Sequence, residues 1–330
     1  MSATGLAAAL SVFTMGFAIQ RGGTCTVAAV DEVLTHRRAH RLWAMLEASL
    51  WVAGGLALAQ LAHLAGSMPA GHALGAWTVA GGVLLGIGAW VNRACVFGAI
   101  ARLGSGEWAY AATPLGYYVG CLSVEPLSSR VATGAQTGTS PLLQAAALLG
   151  PLFLLYVLWR IWPGLKVLGR PGRLAVLRQK VWAPHAATVV IGVSFVITLL
   201  LAGRWAYTDV LADLARAMAA QPRDLGLPLL LLLALYVGAL VGGHTAGRWR
   251  STPLSVHQVL RCLCGGVLMA WGSLLIPGSN DGLILIGIPL LRPHAWLAFA
   301  SMFAAIAVAL LAQRAWARSH QPRTAPSQSI

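Results

Sequence analysis

Along this chain, apolar residues gather into long unbroken runs, and polar residues fall in the short stretches between them. The runs cover roughly residues 5–20, 43–66, 71–91, 107–123, 141–160, 183–203, 225–246, 254–275 and 294–313. A helix rises about 1.5 Å per residue and the hydrocarbon core of a bilayer is about 30 Å thick, so runs of this length match transmembrane helices. They lack the two-residue alternation of an outer-membrane barrel. Three further apolar stretches, 22–34, 93–103 and 279–290, are too short to cross alone. The pattern predicts an all-α polytopic membrane bundle of about nine transmembrane helices, with short re-entrant helices between some of them.

Composition agrees with that solvent: the chain is 58% hydrophobic and 10% charged, with a mean hydropathy of +0.72, outside the range of water-soluble domains. The net charge of +14 would suggest nucleic acid in a soluble protein. Here the basic residues sit between the apolar runs, at Arg37, Arg38 and Arg41, at Lys166, Arg170, Arg173, Arg178 and Lys180, at Arg248 and Arg250, and at Arg314, Arg318 and Arg323. The positive-inside rule accounts for them, so the partner is the lipid bilayer and not nucleic acid. Stretches 64–73 and 276–293 are nearly free of Lys and Arg, and 204–224, read as an outer loop, balances three arginines against three aspartates. This alternation puts the N-terminus outside and the C-terminus in the cytoplasm of a bacterial inner (plasma) membrane. Met1 to Gln20 lacks a basic leader and a cleavage site, which makes it the first span.

One segment repeats. Gly81 to Ile100 aligns without a gap on Gly265 to Ile284 at an offset of 184, with seven of twenty positions identical and four of those glycine. By the span count the first copy runs inward and the second outward. Inverted repeats whose interrupted helices meet near the midplane are a recurrent plan of secondary transporters. The predicted organisation is a first membrane half over 1–160, a basic cytoplasmic connector over 161–182 and a second membrane half over 183–330.

Few residues offer chemistry. There is no phosphate-binding loop, zinc helix or haem motif, so neither ATP hydrolysis nor a cofactor is expected. The five cysteines, Cys25, Cys95, Cys121, Cys262 and Cys264, lie in or beside apolar runs without a disulfide spacing, and free thiols are expected. Cys25 follows Gln20-Arg-Gly-Gly-Thr and Cys95 follows Asn92-Arg-Ala, each at a break before a short apolar stretch. Such a break allows a half-helix whose N-terminal N–H groups and positive dipole end face the membrane interior, a natural anion site. Arg21 and Arg93 stand at the breaks, either to meet an anion or to reach a lipid phosphate. Glu47 and Asp281 are costly in hydrocarbon, hence pore-facing or paired, and Asp281 opposes an anion unless something neutralises it.

At these residues the chain resembles the YeeE/YedE family of sulfur-compound transporters. The matching pieces are Gly16-Phe-Ala-Ile-Gln-Arg-Gly-Gly-Thr-Cys25 and the two Gly-Gly-Val-Leu segments leading to Cys95 and Ser279. The resemblance implies import of thiosulfate or a related small sulfur or selenium anion, passed along cysteines at constrictions by S–H···S hydrogen bonds. Cys25 and Cys95 match the first two family cysteines, whereas Ser279 stands where the family has a third. The hydroxyl of Ser279 and the backbone N–H groups of Asn280 and Asp281 would then hold the anion. Two rivals are a membrane sulfurtransferase with a cysteine nucleophile, and a non-transporting subunit that docks a soluble cytoplasmic sulfur-carrier protein on the basic loops.

Overall fold

The computed structural model describes residues 2–66, 68–128, 136–165, 181–218, 224–247, 249–276 and 278–320. The first half runs α1 (Ala3–Gly22), α2 (Thr26–His36), α3 (His40–Leu61), α4 (Ala76–Asn92), α5 (Val96–Gly104) and α6 (Ala112–Ser128). Two helices follow, α7 (Pro141–Gln144) and α8 (Ala146–Leu165). The second half runs α9 (Pro184–Ala202), α10 (Tyr207–Met218), α11 (Gly226–Thr245), α12 (Val256–Leu275), α13 (Asn280–Gly282, wound on as a π-turn through Leu283–Gly287) and α14 (Pro293–Ser319). Gly71–His72 pairs antiparallel with Gln136–Thr137, a small ladder at one end of an otherwise helical molecule.

The molecule is the expected all-α polytopic bundle. Among the described residues, seven segments are long and apolar enough to cross a membrane: Ala3–His36, His40–Leu61, Ala76–Gly104, Pro184–Met218, Gly226–Thr245, Val256–Leu275 and Pro293–Ser319. The other two expected spans, 107–123 and 141–160, fall on α6 and α8, helices outside those seven. Of the expected connector over 161–182, residues 166–180, with Lys166, Arg170, Arg173, Arg178 and Lys180, lie outside the described residues, and 161–165 belong to α8.

Three short helices were expected and found as α2, α5 and α13. A fourth, α10, overturns the reading of 204–224 as a loop. Asp209, Asp213 and Arg216 interrupt its apolar run, but Tyr207, Thr208, Leu211, Ala212 and Ala215 form a buried stripe at helical spacing. With α10 in place, each half has the same six-part order: a long helix, a short one, two long ones, a short one and a long one. The elements of the second half start at a nearly constant distance from their counterparts: α9 and α10 begin 181 residues after α1 and α2, and α13 begins 184 after α5.

Contacts obey the same correspondence. α1 packs on α9 and α4 on α12; α1 packs on α11 as α9 does on α3; α4 on α14 as α12 on α6; α2 on α14 as α10 on α6; α5 on α11 as α13 on α3. Such reciprocity is what a two-fold axis produces. The α4–α12 crossing shows it atom by atom. A Cβ on Gly81 would lie 2.7 Å from Gly272 O, one on Gly272 2.6 Å from Gly81 O, and the same holds for Gly88 and Gly265 at 2.9 and 2.8 Å. Low numbers on one helix thus meet high numbers on the other, so the two repeat segments lie antiparallel. In a bilayer, helices associate through such close backbone approach because lipid offers no hydrophobic drive.

The charge that α3 carries inside its span is paired. Glu47 of α3 takes the Tyr156 hydroxyl at 3.1 Å and His185 Nδ1 at 2.5 Å, with Arg160 Nε at 3.6 Å, tying α8 and α9 to α3.

Candidate functional site

The site is built from three helix breaks and the start of α10. α1 ends in a left-handed turn at Gly23, φ 58°, whose N–H closes on the carbonyls of Ile19 and Gln20, a conformation that suits glycine. Cys25 then takes an extended conformation as the residue capping α2. α4 ends the same way at Arg93, also φ 58°, before Cys95 caps α5. Asn92, fully buried, holds this second break: its Nδ2 donates to Ala94 O at 2.8 Å and its Oδ1 accepts from the Thr113 hydroxyl at 3.0 Å.

These breaks bring the two cysteines together. The Thr26 N–H, at the start of α2, donates to Cys95 Sγ at 3.2 Å. Gly98 of α5 makes room for the other thiol, because a Cβ there would lie 2.5 Å from Cys25 Sγ. Cys95 is 1% exposed and Cys25 9%. Cys25 also forms the floor of a cavity of about 500 Å³ whose walls include Arg41, Trp90, Arg93, Gly98 and Arg102. So Arg93 faces the space that Cys25 faces. Arg21 does not line it: its guanidinium lies 4.9 Å over the Phe17 ring and donates to Thr245 Oγ1 at 2.9 Å.

Ser279 occupies the matching break between α12 and α13, and α13 touches α5. Its carbonyl accepts from Leu283 N–H as Cys95 O accepts from Ala99 N–H, so the two breaks share one backbone design. Ser279 lines a second cavity, of about 590 Å³, with Arg204, Asp209, Arg216, Arg292 and His72. The two cavities use equivalent wall positions. Trp90 and Leu274, Gly98 and Gly282, and Arg102 and Ile286 are each 184 apart in number.

The side chains at the second break differ in kind. The Ser279 hydroxyl points at Asp281 Oδ1, and the Thr208 hydroxyl reaches the same oxygen at 2.7 Å while also touching Ser279. Thr208 N–H, in the first turn of α10, approaches Asp281 Oδ2 at 3.5 Å. All three residues are buried. The Asp281 carboxylate is thus held by the Ser279 and Thr208 hydroxyls, with the Thr208 N–H at the start of α10 beside it. The Asn280 side chain lies outside the described residues. Thr208 and Asn92 were not singled out from the sequence; Thr208 lay in the supposed loop, and Asn92 was hidden in an apolar helix end.

Comparison with known proteins adds the following. The family model described as "Sulphur transport" matches residues 21–308. The thiosulfate transporter TsuA of Escherichia coli (strain K12) is 22% identical over 325 residues, spanning 87% of this chain and 88% of that protein.

Proposed function

The chain belongs to the sulphur transport family, and from that premise we propose that it imports thiosulfate or a closely related small sulfur anion through the three breaks marked by Cys25, Cys95 and Ser279. A multi-pass membrane protein of this family moves a sulfur-containing anion. The finer reading rests on one observation: two buried thiols, Cys25 and Cys95, held at facing half-helix starts beneath an open cavity. A thiol is a weak neutral donor, suited to a soft sulfur atom, and the helix starts supply positive potential without a fixed counter-charge that would trap a dianion. The TsuA relative supports thiosulfate as the substrate.

In this reading the two halves are 1–160 and 183–330, related by inversion, and the basic turn at Arg37, Arg38 and Arg41 faces the cytoplasm of the inner membrane. The Cys25 cavity then opens inward and the Ser279 cavity outward. An anion enters past Arg204 and Arg292, meets Ser279, passes Cys95 and leaves by Cys25 and Arg93. A soluble sulfur carrier would be met at the basic inner rim.

Uptake of radiolabelled thiosulfate into liposomes containing only this chain tests the reading. Cys95→Ala abolishes uptake, whereas Cys121→Ala, a buried thiol of α6, leaves it near the wild-type rate. Equal effects of the two would defeat the path assignment. No uptake by the wild type would instead favour the sulfurtransferase or the docking subunit.

A further inference from the structure

We propose that Cys25 and Cys95 close into a reversible disulfide that bars the path, and that the oxidant is a polythionate, the dianion made when two thiosulfates join through sulfur. The bridge rests on the placement of the two thiols. Its effect on uptake rests on the transport reading and goes beyond it.

The placement comes from the meeting of two helix starts. Cys25 precedes α2 and Cys95 precedes α5, and each sulfur lies against the backbone of the other break. The Thr26 N–H, the amide next to Cys25, donates to Cys95 Sγ at 3.2 Å, and the Cys95 N–H in turn approaches Cys25 Sγ. The two side chains are themselves hydrogen-bond partners. A disulfide needs neighbouring backbones and side chains that converge, and these crossed contacts are of that kind. Gly98 holds the arrangement, since any Cβ there would press on Cys25 Sγ at 2.5 Å. Cys262 and Cys264, by contrast, are two positions apart on α12 and face different sides of one helix.

The two thiols differ in access. Cys25 opens on the cavity of about 500 Å³, with Arg41, Arg93 and Arg102 in its walls, whereas Cys95 does not line it and is 1% exposed. An anionic reagent in the cavity therefore meets Cys25 first, and Cys95 answers from behind, the division between attacking and resolving thiol. The N–H groups of Val27 and Ala28, in the first turn of α2, approach Cys25 Sγ and steady its charge as the thiol gives its proton to cavity water. A polythionate suits this space: its sulfonate ends are anionic like thiosulfate, and its middle is a sulfur–sulfur bond that a thiol can open.

The exchange balances at each step. Cys25 Sγ attacks an inner sulfur of tetrathionate, the bond between the two inner sulfurs breaks, and its electron pair leaves with one thiosulfate. Cys25 then carries an S–SO3− group. Cys95 gives its proton to water, attacks Cys25 Sγ and expels the second thiosulfate. Two thiols and one tetrathionate thus give one disulfide, two thiosulfates and two protons; the cysteines lose two electrons and the central bond of tetrathionate gains them. The bridge removes both S–H donors from a passing anion and ties the start of α2 to that of α5. A chain that meets the oxidised form of its substrate shuts, and a thiol reductant in the inner cavity reopens it by the same exchange.

In the test, liposomes holding the full chain are treated with tetrathionate and washed, free thiols are alkylated, and peptides are mapped by mass spectrometry. Wild type is expected to give a Cys25–Cys95 link with two thiosulfates released per link, and a several-fold fall in the initial uptake of radiolabelled thiosulfate. Dithiothreitol should remove the link and restore the rate. Cys95→Ala should stop halfway, keeping the S–SO3− group on Cys25 and releasing one thiosulfate, and Cys95→Ser should do the same if alanine disturbs the fold. Cys121→Ala should behave as wild type does. The proposal is overturned by a wild type that forms no link, by an adduct that rests on Cys25 while Cys95 stays free, or by a link that leaves uptake at its untreated rate. A link formed in a chain that moves no thiosulfate even before treatment upholds the bridge, and then only the transport reading fails.

Discussion

Single residues at equivalent breaks carry different loads. A methyl group on Gly98 would sit 2.5 Å from Cys25 Sγ, whereas one on Gly282, its counterpart, would sit 3.8 Å from Ser279 Oγ. Gly98→Ala is therefore expected to destabilise by about 1–3 kcal/mol, the usual range for overpacking, and to slow thiosulfate uptake sharply. Gly282→Ala should leave the melting temperature in detergent nearly unchanged. If both glycines tolerate alanine equally well, Cys25 is not held in a fixed position. Arg93 presents a second contrast, because its left-handed conformation costs a side-chain-bearing residue about 1–2 kcal/mol. Arg93→Gly should hold or raise thermal stability while slowing uptake, since it removes a guanidinium from the Cys25 cavity; a fall in stability would mean that the arginine is structural. Outside the spans, burial and then the charge of Arg292 push His72 below the ordinary histidine value. His72 is thus neutral at pH 7 and above, and becomes charged only at a pH lower than usual. His72→Gln should accordingly leave uptake between pH 7 and 8 unaltered, and a changed profile in that window would show that His72 titrates there.

At the scale of elements, long helices were legible because a bilayer demands about 20 apolar residues in a row. The breaks before α2, α5 and α13 were legible too, as glycine- and polar-marked interruptions of apolar runs. α10 was not, because Asp209, Asp213 and Arg216 line the Ser279 cavity and break its apolar run, and a short amphipathic helix with three charges looks like a loop. The repeat was legible only over its second part for a related reason. The counterparts of α1 and α2 are displaced by 181 residues and that of α5 by 184, so a single gapless register cannot align both. That shift also explains why Cys25 had no visible partner: the residue before α10 is Ala206. Pairing of Cys25 with Cys95 could not be read at all, since 70 positions separate them and only the meeting of α2 with α5 joins them. Asn92 holds the break that presents Cys95 to the start of α2. Asn92→Ala leaves Ala94 O and the Thr113 hydroxyl without their partner, at a cost of about 1–3 kcal/mol. Thermal unfolding should show that loss, and uptake should fall with it; stability close to wild type would mean that the break forms without this bridge.

The whole molecule is read by its orientation. Arg38→Cys is expected to react with a membrane-impermeant thiol reagent from the cytoplasmic face alone, and Leu64→Cys from the opposite face alone; labelling of both from one side would reject the assignment of inner and outer cavities. The same orientation gives α8 a role that its packing does not suggest. Each half contains four long helices, α1, α3, α4 and α6 and then α9, α11, α12 and α14. Four crossings return a chain to the side on which it began, so two such halves joined directly would point the same way. The antiparallel contact of Gly81 with Gly272 would then be impossible. On the proposed nine-span arrangement, α8 supplies one extra crossing and so turns the second half over. It is a matter of parity: a tandem duplication of an even unit yields twins that face alike, and one unpaired helix lets a half-turn about an axis in the membrane plane relate them. Excising Pro141–Leu165 should leave both halves able to insert, yet place Leu254 on the face where Arg38 is not, as cysteine labelling at the two positions would reveal.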